Sequence, residues 1–104
     1  MARLNLANWR GPIPNMNTGG IIRPLRGLVL HVQEGTEAGT DATFHDPHLA
    51  IPRSAHFGNP QAGRLDQWVD TNDMAWAQVA GNPQWISVEN EGVSGATGYS
   101  LNEN

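Results

Sequence analysis

Gly27-Leu28-Val29-Leu30-His31-Val32 is the stretch on which the reading of the fold turns. Its aliphatic residues run without the apolar and polar alternation of a half-solvated strand. Such a run predicts a strand buried on both faces, as in the parallel part of an α/β sheet. His31, near its end, is then a polar group that must find a hydrogen-bond partner or a metal. Two readings stay open from these residues alone: a core histidine bonded to a carbonyl, or a ligand at a strand end.

Before this strand, residues 1–26 carry Pro12, Pro14, Gly19, Gly20 and Pro24, which interrupt both helical and strand periodicity. They read as an ordered loop whose Trp9, Ile13, Ile21 and Ile22 can pack on a core. After it, a glycine-marked loop leads to Thr40 or Asp41, a candidate N-cap for a short helix to Phe44 or His45 that Pro47 ends. Ser54–Asn59 and Arg64–Asp70 flank a Pro-Gln-Ala-Gly turn and read as a hairpin, with Leu65 and Trp68 or Val69 turned inward. Thr71 or Asn72 could cap a second short helix through Ala77. Gly81-Asn82-Pro83 then signals a turn, and Trp85-Ile86-Ser87-Val88-Glu89 a further strand ending on a carboxylate. Ser100 and Glu103 have capping-box spacing, the start of another helix.

The chain has 104 residues, enough for one modest core. Its hydrophobic fraction of 38%, with 12 glycines added, brings the apolar share to roughly half, the norm for a folded soluble chain. Ten acids against six bases give a formal charge of -4, which argues against nucleic acid as a partner. Cysteine is absent, so disulfides and thiolate chemistry are excluded, and any metal must use His, Asp or Glu. The N-terminus lacks the apolar segment of a signal peptide, and no run is long enough to span a membrane. The expectation is a chain made in the cytoplasm, with export by another route.

The sharpest chemical pairing is His31 at one strand end with Glu89 at another. If the two strands are neighbours, both groups face one rim, as metal ligand and general base do in zinc hydrolases. The competing reading is a satisfied histidine and a solvated glutamate. His31, His45, His48 and His56 together hold enough nitrogen donors for zinc, but Pro47 breaks any helix that would align His45 with His48, so these two read as loop histidines in water. Trp9, Trp68, Trp76 and Trp85 could stack on sugars, though their irregular spacing suits core or rim positions. Ser54 and His56 lack the surroundings of a nucleophile elbow.

The order of motifs adds what their spacing lacks. Leu28-Val-Leu-His31-Val, Arg53-Ser-Ala-His56-Phe, Arg64-Leu-Asp-Gln-Trp-Val-Asp through Ala75-Trp76-Ala77, and Asn82 through Glu89-Asn-Glu-Gly92 resemble, in sequence, the zinc N-acetylmuramoyl-L-alanine amidases. These are related to peptidoglycan recognition proteins, and the match is nearest the endolysin form of actinobacteria and their phages. The resemblance implies an α/β domain, a mixed β-sheet with short flanking helices, and hydrolysis of the amide between N-acetylmuramic acid and L-alanine of the stem peptide. It implies Zn2+ with His31 as first metal ligand, Glu89 as the catalytic acidic residue that activates the zinc-bound water by taking its proton, and Trp76 and Asn82 as substrate-groove residues. Peptidoglycan or a muropeptide would be the partner, and the cell wall the place of action.

Two departures stand out. Ala55 and Ala77 occupy positions where some members have tyrosine and histidine. The family's later histidine and Asp or Cys ligands, beyond a long helix, have no counterpart here. Residues 1–104 therefore read as one partial amidase domain, with 1–26 its N-terminal loop segment. The alternatives are a non-catalytic peptidoglycan-binding module and an inactive amidase fragment.

Overall fold

The computed structural model describes residues 3–77 and 82–93. Their elements are β1 (Asn8–Trp9), β2 (Met16–Asn17), β3 (Gly27–Val32), α1 (Glu37–His45), β4 (Phe57–Asn59), β5 (Asp66–Gln67), β6 (Met74–Ala75), a 3-10 turn (Asn82–Gln84) and β7 (Trp85–Asn90). Five strands form one sheet in the order β1-β5-β4-β7-β3. The pairs β3/β7, β4/β7 and β1/β5 are parallel and β4/β5 is antiparallel. The architecture is thus α/β with a mixed sheet, as the sequence implies.

The opening stretch is a strand, but not one buried on both faces. Among the described residues β3 is the edge of the sheet, and Leu28 and Leu30 are 61% and 69% exposed. Aliphatic composition reports what a strand can bury, whereas its place in the strand order decides how much it does bury. On the opposite face Val29 and His31 stand level with Ser87 and Glu89 of β7.

The core lies instead between α1, the β4/β5 hairpin and the N-terminal segment. Ile13, Phe44, Ala55, Trp68, Val69 and Ala75 form it, with Met16 packed against it. Phe44 meets Trp68 edge to face, with ring centroids 4.8 Å apart. The hairpin pairs Phe57 with Gln67 and Gly58 with Asp66. Residues 3–26 do more than pack as a loop: β1 extends the sheet beyond β5, and β2 pairs with β6. Buried Asn15 donates to the carbonyls of Phe44 (3.1 Å) and Asp46 (3.0 Å), satisfying the C-terminal end of α1.

Two helix expectations need correction. The helix α1 starts earlier than Thr40, because Thr36 is the N-cap and its Oγ1 accepts from the Gly39 N–H at 3.0 Å. Asp41, now inside the helix, instead accepts from Trp68 Nε1 (2.7 Å) and pairs with Arg10 (3.2 Å). His45 accordingly lies in the last turn of α1, not in a loop, and its Nδ1 and Nε2 face the carbonyls of Asp41 and Arg10 at 2.7 and 2.8 Å. The second helix, over Thr71–Ala77, is replaced by a turn and a strand. Asp70 accepts the Asn72 N–H on its side chain and the Asp73 N–H on its carbonyl, a local competition that polar residues win over helix formation. Met74–Ala75 then runs extended against Met16–Asn17. The helix expected from Ser100 lies outside the described residues.

Candidate active site

Parallel pairing of β3 with β7 sets His31 level with Glu89, and Gly58 of β4 level with Glu89 on the other side. Residues opposite one another on adjacent strands share a face, so His31 and Glu89 project side by side. The strand ends are tied together: Asn90 Nδ2 donates to the His31 carbonyl at 3.2 Å, and the Gln33 N–H to the Asn90 carbonyl at 2.9 Å.

Glu89 lines a cavity of about 590 Å³ between the C-terminal end of β3, α1 and Arg53, a size suited to a small ligand. Its Oε1 is buried without a hydrogen-bond partner among the described residues. Burial raises the carboxyl pKa, opposed by the charges of His31 and Arg53. A carboxyl whose pKa is raised is suited to accepting and returning a proton. The far wall of the cavity is one face of α1, where Thr36, Gly39, Thr40 and Thr43 recur at helical spacing.

A second carboxylate group supports this wall. Glu37, the first residue of α1, accepts from Gln33 Nε2 and reaches toward Asp66. Gln33 also donates to the Glu89 carbonyl (3.2 Å) and accepts from Thr40 Oγ1 (3.1 Å), so one amide links helix, strand and Glu37. Burial, then the contact with Asp66, pushes the Glu37 carboxyl up to about 8. Glu91 accepts the N–H groups of Glu37 (2.9 Å) and Gln61 (2.7 Å), fixing the start of the helix.

The other residues singled out in the sequence do not converge on this cavity. Trp76 is held at its backbone: its N–H donates to Ser54 Oγ (3.0 Å) and its carbonyl accepts from the Ser54 N–H (3.2 Å). Neither Trp76 nor His31 lines the cavity. Asn82 opens the 3-10 turn before β7, and the four residue steps from Trp85 to Glu89 separate that end from Glu89 by roughly 13 Å. His56 is a core residue. Its Nε2 faces the Asp73 carbonyl at 2.8 Å and its Nδ1 the Ser87 N–H at 3.2 Å, a pattern that the neutral ring with the proton on Nε2 satisfies. Burial lowers its pKa accordingly.

The zinc implied by the sequence resemblance finds an incomplete donor set. Zinc takes three protein ligands at a catalytic site and four at a structural one. No cluster of three His, Asp or Glu side chains suited to a metal occurs among the described residues. All four histidines are described, and His45 and His56 are committed to carbonyl oxygens elsewhere. His31 with Glu89 does not complete a zinc site.

Arg53, Gln33, Glu37 and the threonines of α1 carry no sequence signal at short range. Only the pairing of strands and the seating of α1 bring them to Glu89. The Thr36, Thr40, Thr43 spacing becomes readable as one helix face once the N-cap is placed at Thr36.

Fold and site together define an α/β domain with a histidine and a glutamate side by side on a parallel strand pair. The chain belongs to the N-acetylmuramoyl-L-alanine amidase family, whose model matches residues 22–103. Among solved structures it is similar to a Se-Met derivative of AmpD, with a TM-score of 0.71 and 21% identity, over 97% of this chain and 68% of that one. No curated protein sequence matches it.

Proposed function

We propose that this chain acts on peptidoglycan, hydrolysing the amide between the lactyl group of N-acetylmuramic acid and L-alanine of the stem peptide. The observation that carries the reading is Glu89, in register with His31 and lining the cavity with one carboxylate oxygen unsatisfied. In the step proposed, Glu89 takes a proton from water as its oxygen adds to the amide carbonyl carbon. It returns that proton to the alanine nitrogen as the C–N bond breaks, leaving an acid and an amine. The family supports the substrate class. The donor set above supports no step through a metal.

Release of L-alanyl peptide from an N-acetylmuramoyl-L-alanyl peptide tests this. The wild-type chain should release it, and Glu89→Gln should lower turnover by about 10²- to 10⁴-fold while keeping substrate affinity. Equal turnover in the variant would remove Glu89 from the chemistry.

The incomplete donor set favours a second reading, a module that binds peptidoglycan without cutting it. Retention on purified cell wall in the presence of chelator, with no peptide released, would select it. Under either reading the protein works at the cell wall.

A further inference from the structure

We propose that the cavity beside Glu89 is a peptide subsite selective for an anionic residue, with Arg53 as the group that reads the carboxylate. This rests on the peptidoglycan reading above and names the part of the substrate the cavity takes.

The two walls differ in hydrogen-bonding character. On α1, the Thr40 hydroxyl donates to Gln33 Oε1 (3.1 Å) and the Thr43 hydroxyl to the Gly39 carbonyl (3.0 Å). Each hydroxyl has one proton, so both present only lone pairs to a ligand, and they suit the N–H groups of a peptide. Thr36 to Thr43 spans seven helical residues, roughly 10 Å, the length of about three extended residues.

Arg53 is the opposite kind of group. Its guanidinium is exposed and makes no hydrogen bond or ion pair among the described residues. Four of the other five arginines are engaged: Arg10 with Asp41, Arg23 with Asn72, Arg64 with the carbonyls of Asn5 and Leu6, and Arg3 over the Trp9 ring, while Arg26 does not line the cavity. In a chain of charge -4, a guanidinium lining a cavity without a partner carboxylate offers a planar donor fork to an incoming one. Arg53 does not pair with Glu89 within 4 Å, although both line the cavity.

These placements also set a direction. The positive Arg53 guanidinium attracts a ligand carboxylate, so the anionic residue belongs at Arg53 and the amide to be cut at Glu89. The peptide between them runs along the threonine wall.

Binding to two synthetic N-acetylmuramoyl-L-alanyl dipeptides tests the proposal by calorimetry. Their second residue carries either a free carboxylate or the matching carboxamide. The wild-type chain should bind the carboxylate peptide roughly three- to tenfold more tightly, the range for a partly solvated charge-assisted pair. Arg53→Gln should bring the carboxylate peptide down to the affinity of the carboxamide, and Arg53→Lys should keep part of the preference. Equal binding of both peptides by the wild type, or a preference surviving in Arg53→Gln, overturns the role of Arg53 and leaves the peptidoglycan reading standing. Binding of neither peptide overturns both.

Discussion

Glu37 shows how much one side chain here depends on its protonation state. As a carboxylate its Oε2 would be buried with no donor in reach and would face the carboxyl of Asp66. As the acid it donates a hydrogen bond to Asp66 while Oε1 still accepts from Gln33. The carboxyl therefore holds its proton up to about 8, against 4.5 in the unfolded chain. Between those values the native state binds a proton that the unfolded state has released, so this site's contribution to stability falls as pH rises. Glutamine reproduces the acid, accepting from Gln33 and donating to Asp66, with no proton to lose. Melts of wild type and Glu37→Gln across pH 4.5 to 9 should coincide at the acid end, with the variant gaining as pH rises. Comparing the two cancels the opposite slope from His56, whose lowered pKa weakens folding as pH falls below about 6.5. A variant destabilised equally at every pH would refute the shared proton.

At the level of elements, the seat of α1 decides whether a cavity exists at all. Gly58 lies level with Glu89, and a Cβ there would overlap the carboxyl of Glu37 and the ring of Trp68. The helix start and the indole thus use the space a side chain would fill. Gly58→Ala should destabilise the fold by on the order of 2 kcal/mol, about 10 °C in melting temperature for a chain of this length. An unchanged melt would mean that α1 is not seated on β4.

How far sequence alone reaches is also visible in the elements. The hairpin and both long strands are legible because each carries a continuous local pattern, and the turn between β4 and β5 has its own Pro and Gly signal. The neighbouring of His31 and Glu89 follows from sequence only as a condition, since strand order is a long-range property that no local window holds. Sequence reading fails where local chemistry is ambiguous. Thr36 and Thr40 are equally good caps until Glu91 and Gln33 arrive from elsewhere in the chain, and Asp70 ends what Met74 to Ala77 would otherwise begin as a helix. The exposure of Leu28 and Leu30 is hidden for the same reason: composition names a strand without saying which strands flank it.

Over the whole molecule, the donors available to a metal follow from how the four histidines are distributed. His56 is built into the core between β7 and Asp73, and His45 clasps α1 to the N-terminal segment. His48 lies on the exposed connection beyond α1, where its N–H is held by Asp46. His31 stands level with Glu89 on the rim of the sheet, whereas His45, 3.5 Å from the Asp41 carboxylate, has both ring nitrogens on backbone carbonyls. Two donors bind zinc far more weakly than the three or four of a protein site. Titration against a chromophoric chelator should therefore give micromolar or weaker affinity, and equimolar zinc should leave the melting temperature unchanged, because a ligand near or below its Kd adds little to stability. His31→Ala should abolish the weak binding that remains, whereas variants at His45 and His48 should not. One zinc per chain with nanomolar affinity would overturn this donor accounting and shift the chemistry at Glu89 from proton transfer by the carboxyl alone to proton transfer beside a metal.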